Sequence, residues 1–253
     1  MDPLDFVTNL AHHAAELLRD RFDDRHDVVE KKPHDLVTEA DRASEAAIVS
    51  AVRAAFPAAA ILGEEGGVYA GTSDERFIVD PLDGTTNYAH RYPLFCVSIA
   101  YERAGVLEAA AIEAPLMDMR FAARRGGGAT LNGEPIRVSK TETVGSALIC
   151  TGFNPANYDR NGPYFAAMSR LAQGVRRDGS AALDLAMVAA GRFDAFWEWD
   201  LKPWDVAAGA LLIVEAGGRV TAIDGSPLEI ASGSMAASNG RLHTEFCTAL
   251  LES

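Results

Sequence analysis

The sequence predicts a mixed α/β fold, of the α+β type in its first half and alternating in its second half. Three patterns lead to this prediction. Apolar residues recur at helical spacing over the first 55 residues, short strand patterns fill the middle of the chain, and helices alternate with strands after about residue 145. A chain of 253 residues, of which 48% are apolar and 23% charged, is long enough to bury a sizeable core.

The first half opens with two predicted helices. Residues 3–22 carry apolar side chains at helical spacing, with charged side chains between them. A short extended stretch is expected over residues 27–33. Thr38 has the residue type of an N-cap for a second helix, which runs to about Ala55 and stops before Pro57. These helices are expected to pack against the strands that follow.

Five short apolar runs predict the strands of the first half. They cover residues 58–62, 76–80, 94–102, 106–114 and 118–124. Turn sequences such as "RRGGG" and "LNGE" separate the later runs and favour antiparallel pairing. One or two helical turns are expected in "GTTNYAH", which lies between the second and third runs. The first half is therefore predicted to be two helices against a mostly antiparallel sheet.

Strand and helix patterns alternate in the second half. The predicted strands cover residues 147–153, 175–179, 193–199, 219–223 and 235–239. The predicted helices cover residues 161–173, 180–191, 204–218 and 241–252, with Ser180 as a cap. This alternation predicts a mixed α/β sheet layer. We therefore predict two halves, 1–144 and 145–253, that form one rigid body with a cleft between them.

Charge and targeting signals exclude several classes of partner. The net charge of −13 disfavours nucleic acid and acidic membranes, both of which attract basic surfaces. The N-terminal stretch is acidic and lacks the apolar core of a signal peptide, and the apolar run 206–214 is too short to span a bilayer. Cys96, Cys150 and Cys247 are odd in number and widely spaced, which fits a reducing, cytoplasmic location without disulfides.

The segment "VDPLDGTTNY" pairs two carboxylates with a flexible, hydroxyl-rich turn. Asp80 ends a predicted strand, and Asp83 follows after a turn that Pro81 stiffens. Carboxylates placed in this way can bind a hard cation such as Mg²⁺, and Gly84 lets the backbone approach a phosphate closely. The alternative interpretation is a strand–turn–helix connection in which Asp83 is only a helix cap.

Three further acidic residues have similar alternatives. Glu64 lies in "GEEGG" after a predicted strand, where an acidic loop exposed to solvent is the more expected structure for this segment alone. Asp41 has capping-box spacing from Thr38, which explains it structurally. Asp205 lies in the first turn of a predicted helix, where any carboxylate interacts favourably with the helix dipole. Each segment is weak evidence for a site when it is taken alone.

Taken together, these segments resemble a known enzyme family. "VDPLDGTTNYAHRYP" and "KPWDVAAGALLIVEAGG" are similar to the two signatures of the inositol monophosphatases, and "DLVTEAD" and "GEE" precede the first signature in the family's order. The resemblance covers nearly the whole chain. It implies a layered αβαβα sandwich that assembles as a homodimer. It also implies a phosphatase that uses two or three Mg²⁺ ions per site and is inhibited by Li⁺.

The resemblance carries the family's site residues onto the matching positions of this chain. The implied metal ligands are Glu64, Asp80, the Leu82 carbonyl, Asp83 and Asp205. The implied activators of the attacking water are Thr85 and Asp41, assisted by Glu64. The implied substrate contacts are the amides of Gly84 and Thr85, Glu198 with Gly179, Ser180 and Ala181, and the metal-side positions Glu64, Leu82, Asp83 and Asp205.

The implied reaction is hydrolysis of myo-inositol 1-phosphate by in-line attack of a metal-activated water. The same scaffold serves fructose 1,6-bisphosphate, histidinol phosphate, NADP and 3′-phosphoadenosine nucleotides, so these substrates remain open. A regulatory or scaffolding role and a structural Ca²⁺ module are alternatives of another class. Asp200 departs from the glycine that relatives often have, which puts inositol specificity in question, and Arg177 is interpreted as a surface or ion-paired residue.

Overall fold

The computed structural model describes residues 1–24, 28–32, 35–153 and 158–252. Helix α1 (Pro3–Arg21) begins where the Asp2 side chain accepts a hydrogen bond from the Leu4 amide at 2.8 Å. The strands β1 (Val28–Lys32) and β2 (Asp35–Thr38) form an antiparallel pair, and the outer residues of the predicted extended stretch, Asp27 and Pro33, lie outside the described residues.

An eight-stranded sheet forms the centre of the first half. Its strands are β3 (Ala60–Gly63), β4 (Gly67–Tyr69), β5 (Glu75–Asp83), β6 (Cys96–Arg103), β7 (Val106–Ala114), β8 (Met119–Arg124), β9 (Gly128–Leu131) and β10 (Glu134–Pro135). Their order is β10-β9-β8-β7-β6-β5-β3-β4. All neighbours pair antiparallel except β3 and β5, which are parallel. The predicted mostly antiparallel sheet is thereby confirmed.

A five-stranded mixed sheet forms the centre of the second half. Its strands are β11 (Leu148–Thr151), β12 (Gly174–Arg176), β13 (Ala195–Trp199), β14 (Arg219–Thr221) and β15 (Ser234–Ser238), in the order β12-β11-β13-β15-β14. β11 pairs parallel with both β12 and β13, whereas β15 pairs antiparallel with its two neighbours.

The remaining helices complete the layers. They are α2 (Glu39–Ala55), α3 (Thr85–Ala89), α4 (Tyr158–Leu171), α5 (Ala181–Ala189), α6 (Pro203–Glu215) and α7 (His243–Leu251). α1 and α2 pack on one face of the large sheet over a core that includes Phe77 and Tyr101. α4 and α7 pack on the outer face of the small sheet, where Met168, Trp197 and Phe246 are buried.

The middle layer consists of α5 and α6, which lie between the two sheets. The successive residues Leu183, Asp184 and Leu185 of α5 are all buried, because a helix between two sheets has no solvent-facing side. The layers therefore run helix, sheet, helix, sheet, helix, and the expected αβαβα sandwich is confirmed. The shared central core places α5 and α6 beside the ends of β5 and β13, which is where the site forms.

Most of the predicted elements are present, and the missed ones are short. β4, β9 and β10 are two to four residues long and contain glycine or proline, so they carry little hydrophobic periodicity. All three cysteines are free and buried. None of the helices in the described ranges has both the length and the apolar character needed to cross a bilayer.

Candidate active site

The two carboxylates of "VDPLDG" lie on a β-bulge rather than on either side of a tight turn. β5 continues through Asp83, so the prediction that the strand ends at Asp80 is wrong. Asp80 pairs with Ser98 and Asp83 with Cys96, which leaves one extra residue in β5. Such a bulge twists the strand and re-aims its side chains. Asp80 is 2% exposed, and its Oδ1 accepts the Leu82 amide at 3.0 Å.

Gly84 ends the bulge in a conformation that requires glycine. Its φ is +97°, and a Cβ at this position would lie 2.9 Å from the Leu94 carbonyl oxygen. The chain then enters α3, whose first residue is Thr85. Thr85 Oγ1 lies 2.8 Å from Asp41 Oδ1 and 3.1 Å from the Leu82 carbonyl oxygen, two acceptors between which its hydroxyl is held.

Asp41 is both a helix cap and a partner of Thr85. Its Oδ2 accepts the Thr38 amide at 2.8 Å and the Thr38 hydroxyl at 2.6 Å, which confirms the predicted capping box. Its Oδ1 is the oxygen that binds Thr85. Burial raises the pKa of Asp41 above its usual range, and the hydrogen bonds from Thr38 and Thr85 oppose that shift. The structural and the chemical interpretations of Asp41 are therefore compatible.

Asp83 reaches across the cleft to the second half of the chain. Its Oδ2 accepts the Ser180 hydroxyl and the Ala182 amide, both at 2.7 Å, and the Cys96 thiol at 3.8 Å. The carboxylate thus caps the N-terminus of α5, where the helix dipole favours negative charge. Burial raises the pKa of Asp83, and the hydrogen bonds at this helix end lower it in part.

Asp205 approaches the same point from the first turn of α6. Its Oδ2 accepts the Lys202 amide at 2.6 Å, which orients the side chain at the helix start. Burial and the nearby charge of Asp83 raise the pKa of Asp205 to about 7. A carboxyl with this pKa shift is a sign that negative charges are crowded in a space with little solvent.

Glu64 lies on a loop that a buried glutamate holds in place. Glu45 is 3% exposed and accepts the Glu65 amide at 2.8 Å, the Gly66 amide at 2.6 Å and the Tyr69 hydroxyl at 3.1 Å. A Cβ on Gly66 would lie 2.6 Å from Glu45 Oε1, so only glycine allows this close approach. The loop conformation is therefore set by Glu45, four residues after Asp41 on α2.

The four predicted acidic ligands lie near enough to one another for their charges to interact. Burial raises the pKa of Asp80 well above its usual range, and the charges of Glu64, Asp83 and Asp205 raise it further. Four carboxylates in such a space repel one another unless cations or protons neutralise them. Their donor set is oxygen only, which fits hard divalent cations of the Mg²⁺ type. The assignment of these residues as metal ligands stays a prediction, as do the identity and number of the ions.

A cavity of about 500 Å³ is lined at one end by Asp83 and Asp205. Its far wall comes from the second half of the chain and includes the predicted substrate contacts Gly179, Ser180, Ala181 and Glu198. Asn87 of α3 ties the two halves together, because its Nδ2 donates to the carbonyl oxygens of Leu94 at 2.7 Å and Asp178 at 2.8 Å.

The far wall carries two buried acids and one arginine. Burial raises the pKa of Glu198 well above its usual range, and the charges of Asp205 and Asp83 add to the shift. Asp184 is 2% exposed and shows a similar rise, caused first by burial and then by nearby acids. Arg177 lines the cavity, donates to the Phe153 carbonyl oxygen at 2.7 Å and stacks on the Phe153 ring at 5.3 Å. Arg177 is exposed, as expected for a surface residue, and it also lines the cavity.

Sequence reasoning missed several residues of this site. Glu45 and Asp184 interrupt apolar helix faces, and an acid at such a position is a readable signal of a buried polar role. Asn87 and Cys96 carried no comparable signal, because their importance depends on partners that are distant in sequence.

A second acidic cluster lies on another face of the molecule. His12, Glu16 and Glu113 approach within 4.8 Å of one another on α1 and β7. Arg120 Nε already lies 3.1 Å from Glu113 Oε1, and Arg19 Nε lies 3.6 Å from Glu16. Because arginines pair with these carboxylates, the cluster has the character of a surface ion-pair network.

Comparison with known proteins gives consistent matches. Residues 2–253 match the sequence model of the Inositol monophosphatase family. The protein named Nus factor SuhB from Pseudomonas aeruginosa is 44% identical over 98% of this chain and 95% of its own length. The Inositol-1-monophosphatase of Synechocystis sp. is 46% identical over 85% of this chain and 77% of its own length.

A solved structure supports the same relationship. The inositol monophosphatase from Anabaena (Nostoc) sp. superposes with a TM-score of 0.90 at 43% identity. The match covers 98% of this chain and 95% of the Anabaena chain. Sequence and fold thus point to one family over essentially the whole length of the chain.

Proposed function

The chain belongs to the inositol monophosphatase family of metal-dependent phosphatases, and on that premise we propose that it hydrolyses myo-inositol 1-phosphate to inositol and phosphate. One observation supports this proposal above the others. Asp83 and Asp205, whose charges act on Asp80, line one end of a cavity, and Asp184 and Glu198 line its other end. Thr85, which pairs with Asp41, follows Asp83 closely in the chain. A phosphate ester can place its phosphate at the first end and its hydroxyl groups at the second.

The acidic cluster is the proposed metal site. Glu64, Asp80, Asp83, Asp205 and the Leu82 carbonyl would hold two or three Mg²⁺ ions. Bound divalent cations lower the pKa of a water, balance the charge on the phosphate and stabilise the leaving oxygen. The bulge at Asp80 and Asp83 and the cap on Asp205 hold these ligands before any cation arrives.

Thr85 and Asp41 are the proposed activators of the attacking water. The Thr85 hydroxyl donates to Asp41, so its oxygen lone pairs are available to accept a hydrogen bond from water. Burial raises the pKa of Asp41, which makes its carboxylate a better proton acceptor than an exposed aspartate. Asp41 is locked by Thr38 and cannot swing away, so the water would be held in one orientation, with Glu64 assisting.

The remaining groups bind and orient the ester. We assign the phosphate to the backbone amides of Gly84 and Thr85, since Gly84 permits a close approach. The leaving group would contact Glu198 and the backbone of residues 179–181. No covalent enzyme intermediate is needed, because the water attacks phosphorus in line with the bond to the leaving oxygen.

Phosphate release from a panel of monoesters tests this proposal. We expect turnover of myo-inositol 1-phosphate that requires Mg²⁺ and falls when Li⁺ is added. Fructose 1,6-bisphosphate, histidinol phosphate, NADP and 3′-phosphoadenosine 5′-phosphate would be compared under the same conditions. A higher kcat/KM for any of these would replace inositol phosphate as the substrate, and an absence of release from every ester would contradict the catalytic proposal.

A role apart from catalysis is the second candidate. It is favoured by one observation, the name "Nus factor" of the Pseudomonas aeruginosa relative. In cells that lack this protein, an Asp83→Asn variant would separate the two roles. Full restoration of growth by the inactive variant would favour the non-catalytic role, and restoration by the wild type alone would favour catalysis.

A further inference from the structure

Two carboxylate oxygens on the far wall of the cavity have no hydrogen-bond partner. They are Oδ2 of Asp184 and Oε2 of Glu198, and both are buried. Both residues line the cavity in front of the metal ligands. Buried polar atoms in folded proteins are nearly always hydrogen-bonded, so two orphaned acceptors on one wall require an explanation.

The position of Asp184 in the fold explains why its Oδ2 has no hydrogen-bond partner. It lies in the first turn of α5, between the two sheets, where its side chain is 2% exposed. The arginine on the same wall, Arg177, donates to the Phe153 carbonyl oxygen and stacks on the Phe153 ring. Among the residues that the structure describes, no donor satisfies Asp184 Oδ2.

The surroundings of the Glu198 carboxylate are also tight. It lies on β13, and a Cβ at Gly152 would be 2.4 Å from its Oε2. Gly152 therefore leaves just enough room for the carboxylate and none for a side chain that could bond to it. Both residues line a cavity of about 500 Å³, which is large enough for a small ring-shaped ligand.

The hydrogen-bond acceptors and negative charges of the far wall indicate which ligand it can bind. Carboxylate oxygens accept hydrogen bonds, so the missing partners must be donors such as hydroxyl groups. Asp178 adds a third acid near Asp184, and Asp205 adds its charge near Glu198, so a second anionic group would meet repulsion here. A neutral leaving group with neighbouring hydroxyls satisfies both conditions.

We propose that Asp184 is a specificity-determining residue, which together with Glu198 accepts hydrogen bonds from two hydroxyls of a neutral polyol leaving group. This inference rests on the proposed phosphatase function and adds to it a residue outside the signature positions. It also predicts discrimination against esters whose leaving group carries a second phosphate.

The experiment compares two esters that differ in their hydroxyl groups. Asp184→Ala is assayed with myo-inositol 1-phosphate and with phenyl phosphate, which has no hydroxyls to bind. We expect kcat/KM for the inositol ester to fall roughly 10- to 100-fold, the range for a lost hydrogen bond to a charged group. Phenyl phosphate hydrolysis should stay within about threefold of wild type. The preference for inositol 1-phosphate over fructose 1,6-bisphosphate should shrink at least ~10-fold.

Matched variants separate a hydrogen bond from a change in charge or folding. Asp159→Asn removes an exposed charge at the start of α4 without removing either orphaned acceptor, and we expect it to change both esters less than about threefold. Asp184→Asn keeps the shape and one acceptor oxygen, so it should fall between wild type and Asp184→Ala. If Asp184→Ala unfolds in a thermal melt, the Asp184→Asn comparison replaces it.

The outcomes distinguish this inference from the proposed function. An equal loss on both esters, or no loss on either, overturns the assignment of Asp184 while leaving the phosphatase proposal intact. Wild-type protein that releases phosphate from neither ester overturns the phosphatase proposal itself. A selective loss on the inositol ester supports the assignment.

Discussion

The two walls of the cavity are built in opposite ways. On the wall proposed to face the phosphate, Asp41, Asp80, Asp83 and Asp205 accept hydrogen bonds from their surroundings. Asp41 accepts hydrogen bonds from Thr38 and Thr85, and Asp205 accepts one from the Lys202 amide. On the far wall, Asp184 and Glu198 each retain a buried oxygen that no described residue satisfies.

This difference separates preorganisation from recognition. Groups that align a reaction gain from being fixed before the substrate arrives, because reorganisation then costs nothing during the reaction. Groups that recognise a substrate must leave their hydrogen-bonding capacity open for it. The satisfied wall is therefore interpreted as catalytic and the unsatisfied wall as selective, and this contrast can be broken or sharpened by substitution.

Asp83→Asn should have the largest effect on catalysis. The substitution removes a charge from the proposed metal site but keeps an oxygen for Ser180 and Ala182. We expect kcat/KM for myo-inositol 1-phosphate to fall at least ~10³-fold, since a metal contributes several kcal/mol to charge stabilisation. Steady-state phosphate release measures this, and a thermal melt should show a fold that remains intact.

The same substitution at an exposed aspartate is the control for Asp83. Asp20 lies exposed on α1 and does not line the cavity, and Asp20→Asn should leave kcat/KM unchanged. Wild-type rates in Asp83→Asn would show that this carboxylate serves only as a cap for α5. The satisfied wall would then lose its catalytic interpretation.

Thr85→Ala should have the next largest effect. It removes the hydroxyl that lies 2.8 Å from Asp41, and with it the proposed contact to the attacking water. We expect kcat to fall ~10²- to 10³-fold with little change in KM, the size typical of a lost acid–base contact. Thr85→Ser keeps the hydroxyl and should retain kcat within about tenfold. A rise in KM with unchanged kcat would instead assign Thr85 to binding.

The phosphate wall was largely predictable from the sequence because its contacts are local. The capping box joins Thr38 to Asp41 over three residues, and Asp205 bonds to Lys202 over the same spacing. Hydrogen bonds over three residues are typical of helix N-termini. The residue types in the sequence indicate where helices begin. The bulge at Asp80 was mistaken for a turn, since Pro81 and Gly84 are typical of both.

The far wall was harder to predict because its contacts join distant parts of the chain. Asn87 bonds to the carbonyl oxygen of Asp178, 91 residues later, and Gly152 faces Glu198. No local pattern encodes these distances. The layered architecture was predictable from the order of helices and strands, whereas the pairing of β3 beside β5 depends on packing between layers.

Asn87→Ala should have a moderate effect on KM and on stability, because it removes hydrogen bonds that join the two walls of the cavity. The Asn87 side chain donates to the carbonyl oxygens of Leu94 and Asp178, and a Cβ on Gly179, whose φ is +84°, would lie 3.2 Å from Asn87 Nδ2. Without these hydrogen bonds the 178–180 loop loses its alignment. We expect KM for myo-inositol 1-phosphate to rise ~10-fold and the free energy of unfolding to fall by about 1–2 kcal/mol.

Urea unfolding and steady-state kinetics check the Asn87 prediction together. Asn9→Ala, at an exposed position on α1, is the matched control and should change neither quantity. An equal fall in kcat for Asn87→Ala and Thr85→Ala would show that the two walls act as one unit. The division into a preorganised wall and a selective wall would then be wrong.

Asp184→Asn, whose loss of kcat/KM on the inositol ester is expected to be partial, should also change the pH dependence of stability. Burial raises the pKa of Asp184 well above 3.8, so the folded state keeps the proton to a higher pH than the unfolded state does. Stability from this group is therefore present below about pH 4 and is lost as the pH rises. Asparagine does not titrate. We expect the variant to match wild type near pH 4 and to be about 1–3 kcal/mol more stable at pH 7 to 8.

An exposed aspartate with a lowered pKa should show the opposite pH dependence of stability. It therefore serves as the control. Hydrogen bonds from the side chain and amide of Ser226 lower the pKa of Asp224, so its contribution to stability appears above pH 4, and Asp224→Asn should lose it. Urea unfolding at several pH values measures both variants. A stability gain for Asp184→Asn would mean that wild type keeps a destabilising carboxylate because a ligand uses it. A difference that does not depend on pH would show that the fold accommodates this charge, and the far wall would then resemble the satisfied one.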